Sequence, residues 1–127
     1  MTTNNEKKYI LIAEDDTAYG SVYKTKLENE GFDVTVVENG ELVLGEMERR
    51  KPDLLILDLM MSDKNGFEVL QELRSNDKFK EMKVIVASNL SQHADVEKVS
   101  ALQAIDYFVK SDVSVTEMVE KIKKALA

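Results

Sequence analysis

The sequence predicts an α/β domain in which five short strands alternate with five helices, a (βα)5 order. Apolar runs rich in Val, Ile and Leu recur along the chain, and the segments between them space apolar residues three or four positions apart. The length of 127 residues suits one domain. Five such units favour a doubly wound sandwich with a parallel sheet. We expect one domain over residues 1–127, in which residues 1–7 form a flexible polar leader.

Three predicted strands are apolar on both faces. Tyr9–Ala13 has no polar alternation, and Leu54–Leu57 and Val84–Ala87 follow the same pattern. Strands of parallel sheets that helices cover on both faces show this pattern. Val34–Val37 and Tyr107–Val109 are less uniform, so we expect them at the sheet edges.

The segments between the strands carry apolar stripes at helical spacing. The stripes comprise Tyr19, Val22, Tyr23 and Leu27; Leu42, Val43 and Met47; Phe67, Leu70 and Leu73; Val96, Val99 and Leu102; and Val115, Met118, Val119, Ile122 and Leu126. Gly31 is placed to end the first helix, and an Asn39-Gly40 turn precedes the second.

Composition narrows the class of function. The absence of Cys excludes a disulfide framework and thiolate metal sites, and it fits a reducing compartment. With 17 basic and 24 acidic side chains the net charge is −7, which argues against direct binding to nucleic acid or anionic membrane. No apolar run approaches the ~20 residues that cross a bilayer. We therefore expect a cytoplasmic protein without membrane insertion.

Polar side chains follow the predicted strands at the point where each strand ends. They are Glu14, Asp15 and Asp16, then Asp58, then Ser88 and Asn89, and finally Lys110. Helix capping by Asp16 or Ser88 and a solvated charge at Lys110 would explain these residues one at a time. Ligands of doubly wound sheets bind outside the carboxyl ends of the strands, so the joint placement favours a site.

Clustered carboxylates need a cation, because two unit charges 4 Å apart repel by on the order of 4 kcal/mol at an effective dielectric near 20. Oxygen ligands without His or Cys suit a hard cation, and Mg²⁺ is the usual choice where phosphate is handled. A carboxylate beside Mg²⁺, with a hydroxyl and an ammonium group in reach, is equipped to accept a phosphoryl group.

Five elements in order carry a resemblance to a known family. They are Ile10–Asp16, Pro52–Asp58, Gly66 eight residues after Asp58, Ser88 thirty residues after Asp58, and Tyr107–Lys110. With these elements the chain resembles the receiver domains of two-component response regulators, the CheY-like family, over almost its whole length. The resemblance implies a flavodoxin-like, CheY-like three-layer sandwich whose five parallel strands lie in the order 2-1-3-4-5.

The resemblance also implies roles for single residues. Asp58 would accept a phosphoryl group from a sensor histidine kinase or a histidine phosphotransfer protein. Mg²⁺, with Mn²⁺ as a substitute, would be held by Asp15, Asp58 and the backbone carbonyl of Met60, and by Glu14 largely through water. Ser88 and Lys110 would contact the phosphoryl oxygens, and Tyr107 would turn inward with Ser88 to switch the last two βα units toward a downstream effector. Such a receiver catalyses only its own phosphorylation and dephosphorylation, and phosphorylation could make it dimerise.

Several positions depart from the pattern of the family. Ser62 and Ser111 stand where it usually has proline, and Asn89 replaces a small residue. A cis bond before Ser111 would cost ~2.5–4 kcal/mol, so that loop either bears strain or differs. Met60 and Leu90 are apolar where the family tunes hydrolysis, which predicts a long-lived phosphoryl state.

Other functions remain as alternatives. A degenerate pseudo-receiver would bind partners without phosphorylation. A Mg²⁺-dependent phosphatase with an Asp nucleophile would need a second Asp where Met60 stands, and a flavodoxin would need a phosphate loop after Ala13. His93, the single histidine, is expected at the surface. The sequence leaves open a stand-alone receiver, a relay intermediate or a fragment.

Overall fold

Strands and helices alternate along the chain. The computed structural model describes residues 7–89 and 93–127, with only the backbone described at residues 93 and 94. The strands are β1 (Tyr9–Ala13), β2 (Asp33–Val37), β3 (Leu54–Leu57), β4 (Val84–Ser88) and β5 (Asp106–Val109). The helices are α1 (Thr17–Asn29), α2 (Val43–Arg49), α3 (Gly66–Arg74), α4 (His93–Ala101) and α5 (Val115–Leu126), and 3-10 turns at Gly40–Leu42 and Lys110–Asp112 precede α2 and α5.

The strands form one parallel sheet in the order β2-β1-β3-β4-β5. Ala13 of β1 pairs with Leu57 of β3, and Ser88 of β4 pairs with Val109 of β5. The carboxyl ends of these four strands therefore lie side by side at one edge of the sheet. The less uniform runs β2 and β5 are the edge strands, which confirms the prediction.

The sheet separates two apolar cores, because successive side chains of a strand point to opposite faces. On one face Leu11, Leu55 and Val86 pack with α2, α3 and α4 through residues such as Met47, Leu70 and Val99. On the other face Ile10, Ile56 and Ile85 pack with α1 and α5 through residues such as Leu27 and Ile122. The three-layer sandwich is thus confirmed.

Three residues of the predicted apolar stripes face solvent instead of the core. Val22 is 44% exposed, Leu42 is 50% exposed and Val96 is 37% exposed. Leu42 lies in the 3-10 turn before α2, so the helical spacing assumed for it does not apply. Val22 and Val96 lie on the solvent-facing sides of α1 and α4, whereas Tyr23 and Val99 on the same helices are buried.

The ends of the helices follow the expected chemistry. Asp16 caps α1 by accepting hydrogen bonds from the backbone N–H groups of Ala18 and Tyr19. Gly31 has a φ of 97°, which glycine adopts without strain, and follows the end of that helix. Asn65 and Ser114 begin α3 and α5 with reciprocal capping boxes.

Arg74, at the end of α3, ties three segments of chain together. Its guanidinium donates to the carbonyl oxygens of Leu102 and Gln103 after α4, and to those of Lys80 and Met82 before β4. Burial lowers the pKa of Arg74 from its ordinary value. A planar group with five N–H donors suits this contact with four carbonyl groups.

Some sequence predictions fall outside the described residues. They concern most of the polar leader (residues 1–6), Leu90 and the side chain of His93. Among the helices that are described, none is both long enough and apolar enough to cross a bilayer.

Candidate functional site

Four polar side chains are buried at the carboxyl edge of the sheet. They are Glu14 after β1, Asp58 after β3, Ser88 at the end of β4 and Lys110 after β5, with exposed fractions of 2%, 4%, 0% and 6%. In the part of the chain that the structure describes, no other polar or charged residue is buried to this degree. Burial of charge is costly unless the groups are paired, so this concentration at one edge marks a site.

The Lys110 ammonium group links the two buried carboxylates. Its Nζ lies 2.7 Å from Oε1 of Glu14 and 3.0 Å from Oδ2 of Asp58. The same Nζ lies 4.4 Å from the centre of the Tyr19 ring. Two N–H groups of the ammonium thus bond to carboxylates, and the remaining side of the cation faces an aromatic ring that attracts it.

Burial and charge shift the pKa values of this pair. Desolvation raises the pKa of Glu14 from its ordinary 4.5 to about 7; the hydrogen bond from Lys110 lowers it, but the negative charge of Asp58 raises it further. Burial alone would lower the pKa of Lys110, yet the hydrogen bonds to Glu14 and Asp58 outweigh burial and raise it. Lys110 therefore keeps its charge near neutral pH, while Glu14 titrates there.

Three carboxylates could hold a metal ion. One oxygen each of Glu14, Asp15 and Asp58 lies within 4.8 Å of the other two, and Asp15 is exposed where the other two are buried. Oxygen ligands of this charge fit a hard divalent cation such as Mg²⁺. The exposed side of Asp15 leaves room for the water molecules that Mg²⁺ usually retains.

The backbone around Asp58 is closely packed. Oδ1 of Asp58 accepts a hydrogen bond of 3.0 Å from the Met60 N–H, and the Asp58 N–H donates to the Ala13 carbonyl at 3.0 Å. Gly66, at the start of α3, donates to the Leu59 carbonyl at 3.1 Å. A Cβ atom on Gly66 would lie only 2.7 Å from Cα of Leu59. The N-terminus of α3 thus packs directly against the backbone of Asp58 and Leu59.

A model of the response regulator receiver domain family matches residues 10–123. The chain belongs to this family. The prediction from the sequence is confirmed, both for the family and for the strand order.

Relatives of this receiver domain cover nearly all of the chain. The KDP operon transcriptional regulatory protein KdpE of Escherichia coli is 35% identical over 118 residues, which make up 92% of this chain and 50% of KdpE. A CheY-like receiver domain protein from Methanospirillum hungatei is 28% identical with a TM-score of 0.87, over 95% of this chain and 94% of that one. The Mn²⁺-bound response regulator Rcp1 is 25% identical with a TM-score of 0.82, over 92% of each chain. The receiver domain spans about half the length of the curated relatives it matches.

The remaining predicted residues of the receiver lie in β4 and β5 or shortly after β3. Ser88 is the last residue of β4 instead of the first residue after it, because the ladder with β5 continues to Val109. Tyr107 is half-buried in β5. Burial raises the pKa of its hydroxyl, with a further contribution from the charge of Asp95. The side chain of Met60 is 53% exposed. Its carbonyl as a metal ligand and the inward turn of Tyr107 stay predictions.

The loop after β5 departs from the family pattern and contains no cis peptide bond. The described residues contain no cis peptide, so the bond between Lys110 and Ser111 is trans. The Ser111 N–H donates 3.0 Å to Oδ1 of Asn89. Two residues that depart from the family pattern are therefore in contact.

Tyr19 belongs to the site, beside the Lys110 ammonium group, although the sequence predicts it only as part of the apolar stripe of α1. One signal was present: Tyr19 is the third residue of α1, so it lies in the first helical turn after the strand end that carries Glu14 and Asp15. The contact itself could not be predicted from this position, because its cation is Lys110, 91 positions away in the sequence.

Proposed function

We propose that this receiver accepts a phosphoryl group on Asp58 from the phosphohistidine of a sensor histidine kinase or a histidine phosphotransfer protein. A carboxylate oxygen of Asp58 attacks phosphorus, the P–N bond breaks, and the imidazole nitrogen takes the electron pair and a proton. The observation that carries the proposal is the buried Lys110 ammonium, 3.0 Å from Asp58, in a cluster of three carboxylates.

The carboxylates of Glu14, Asp15 and Asp58 form the Mg²⁺ site of the proposal, together with the carbonyl of Met60. Bound Mg²⁺ supplies positive charge to the phosphoryl oxygens and reduces repulsion between the donor and the cluster. Mn²⁺ is the substitute cation, in keeping with the Mn²⁺-bound form of the similar regulator Rcp1. Asp15→Asn removes one ligand charge with little change in volume, so it weakens Mg²⁺ binding.

Lys110 neutralises the phosphoryl oxygens, since its ammonium already lies beside the accepting carboxylate. Before transfer this ammonium bonds the carboxylate itself. The hydrogen bond to Oδ2 of Asp58 then passes to the new phosphoryl oxygen, while the bond to Glu14 keeps the cation in place. Oδ1 of Asp58, bonded to the Met60 N–H, stays oriented by the backbone.

The switch of the proposal consists of Ser88 and Tyr107. Ser88 bonds a phosphoryl oxygen, and Tyr107 moves inward behind it, which changes the surface of the last two βα units for an effector protein. Phosphorylation-dependent dimerisation is one form of this output. Ser88→Ala leaves phosphorylation intact but reduces the conformational response.

The proposal is tested by the intact mass of the protein after incubation with acetyl phosphate, with and without Mg²⁺. One Mg²⁺-dependent phosphoryl addition is expected, and Asp58→Asn should abolish it without unfolding the domain. The matched control is Asp63→Asn in the same loop, because Asp63 is exposed and has a φ of 66°, which asparagine tolerates. This control should be phosphorylated like the unaltered protein.

The outcomes separate the alternatives. Equal phosphoryl uptake by Asp58→Asn and by the unaltered protein would show that Asp58 is not the acceptor. No uptake by the folded, unaltered protein would favour the pseudo-receiver that binds partners without phosphorylation. Repeated hydrolysis of a phosphate monoester such as p-nitrophenyl phosphate, lost in Asp58→Asn, would favour the phosphatase.

A further inference from the structure

The residues that follow Ser88 and Lys110 connect two loops of the site. Ser88 and Val109 form the last register pair between β4 and β5. Beyond this pair, the Ser111 N–H donates a hydrogen bond of 3.0 Å to Oδ1 of Asn89. A side chain thus extends the contact between the two strands past the point where the backbone ladder ends.

This bond caps the 3-10 turn that begins with Lys110. The turn spans Lys110–Asp112, and the residue before it, Val109, provides no side-chain cap. The first N–H groups of a helical turn have no acceptor inside the turn and need one from elsewhere. Oδ1 of Asn89 supplies that acceptor from the neighbouring loop.

We propose that Asn89 is a positioning residue for Lys110: by capping its turn from across the site, Asn89 holds the ammonium group beside Glu14 and Asp58. Lys110 is the first residue of the turn, so the orientation of the turn sets the direction in which its side chain leaves the backbone. The proposal rests on the proposed function for the catalytic effect, but the positioning itself is measurable without phosphorylation.

The bond needs both departures from the family pattern. Proline at position 111 would have no N–H to donate, and a small residue such as alanine at position 89 would have no acceptor. The hydrogen bond therefore forms only when Asn89 and Ser111 are both present. The trans bond between Lys110 and Ser111 agrees with a loop that is held by a hydrogen bond.

The variants are Asn89→Ala, which removes the acceptor, and Asn89→Asp, which keeps it. The matched control is Asn76→Ala, because Oδ1 of Asn76 also accepts a backbone N–H, that of Lys78 at 2.9 Å, in the loop after α3. All variants are first measured by NMR without a phosphoryl donor. In Asn89→Ala the Ser111 amide proton should move upfield, and the ε-methylene signal of Lys110 should shift or broaden. Asn89→Asp should retain a downfield Ser111 amide, and Asn76→Ala should leave both signals unchanged.

The second readout is the rate of phosphorylation by acetyl phosphate with Mg²⁺. Asn89→Ala should lower this rate about two- to tenfold, the effect of one ordinary hydrogen bond. In a Lys110→Met background the same substitution should change the rate by less than about twofold, because its effect passes through Lys110.

An unchanged Lys110 signal in Asn89→Ala would overturn the proposal, whether or not the Ser111 amide shifts. An equal loss of rate with and without Lys110 would overturn it as well, since Asn89 would then act by another route. If the unaltered protein takes up no phosphoryl group, the proposed function fails, and the Lys110 signal alone decides the positioning role.

Discussion

The substitution Gly66→Ala probes the packing against the backbone of Asp58, the proposed phosphoryl acceptor. The added Cβ would lie 2.7 Å from Cα of Leu59 and 3.0 Å from the carbonyl carbon of Asp58. Carbon atoms in contact prefer about 3.5–4.0 Å, so the backbone of the site or the start of α3 must move by roughly 0.8 Å or more. The atoms it meets belong to the backbone and cannot rotate away.

We expect Gly66→Ala to lower the free energy of unfolding by about 2–3 kcal/mol, the upper part of the range for overpacked sites. Among the described glycines, only Gly31 has a positive φ, so the cost at Gly66 is steric and not conformational. A shift of this size at Asp58 should also slow phosphorylation by up to about 10²-fold, the effect of a 1 Å misplacement at a reacting centre.

Gly45→Ala is the matched control. Gly45 lies inside α2, and a Cβ there would have no atom within 4 Å. This substitution should raise the free energy of unfolding by about 0.4–1 kcal/mol, because alanine restricts the unfolded chain and favours the helix. Its phosphorylation rate should stay unchanged.

Urea unfolding followed by circular dichroism measures both stabilities, and the acetyl phosphate reaction measures both rates. The slope of the free energy of unfolding against urea concentration should be the same for both variants, because the strain affects only the folded state. Unfolding of Gly66→Ala at the urea concentration of the unaltered protein, or reaction of both variants at its rate, would refute a steric clash at Gly66.

The Mg²⁺ affinity of the cluster should depend on pH: with the pKa of Glu14 raised to about 7, protons compete with the cation below that pH, and calorimetry should show binding weaken by up to about tenfold per pH unit there. Equal affinity at about pH 6 and about pH 8 would contradict this. Tyr19→Leu should slow phosphorylation about two- to fivefold, while Tyr19→Phe, which keeps the ring beneath the ammonium group, should not; equal rates would rule out a role for the ring. Arg74→Lys should lower the free energy of unfolding in urea by about 2–4 kcal/mol, since an ammonium group cannot reach four carbonyl oxygens. Arg49→Lys, at an exposed ion pair, should leave the free energy of unfolding nearly unchanged, because ion pairs in water contribute little. Met60→Asn should shorten the lifetime of the aspartyl phosphate, measured by intact mass, because a polar side chain admits water. An unchanged lifetime would show that the apolar side chain of Met60 does not slow hydrolysis.

The strands could be predicted because their segments are apolar on both faces, which indicates burial. Tyr9–Ala13 and Leu54–Leu57 coincide with β1 and β3, since a segment apolar on both faces is stable only between two layers. The number of helices could also be predicted, but not all of the residues that they bury. Val22 and Leu42 matched the helical spacing and are nevertheless exposed, because spacing does not tell how wide a face the neighbouring layer covers.

The sequence by itself determined which chemical groups stand at the strand ends, and the order of the elements implied that they meet. Glu14, Asp58 and Lys110 could be placed at one edge for this reason, as carboxyl ends of parallel strands share an edge. Only the tertiary structure decided how the groups pair. The contacts of Lys110 with Glu14 and Asp58 span 96 and 52 positions, and its place over Tyr19 follows from how α1 packs on the sheet. Burial, which raises the pKa of Glu14, is likewise a property of the assembled layers, since desolvation depends on every segment that covers the group.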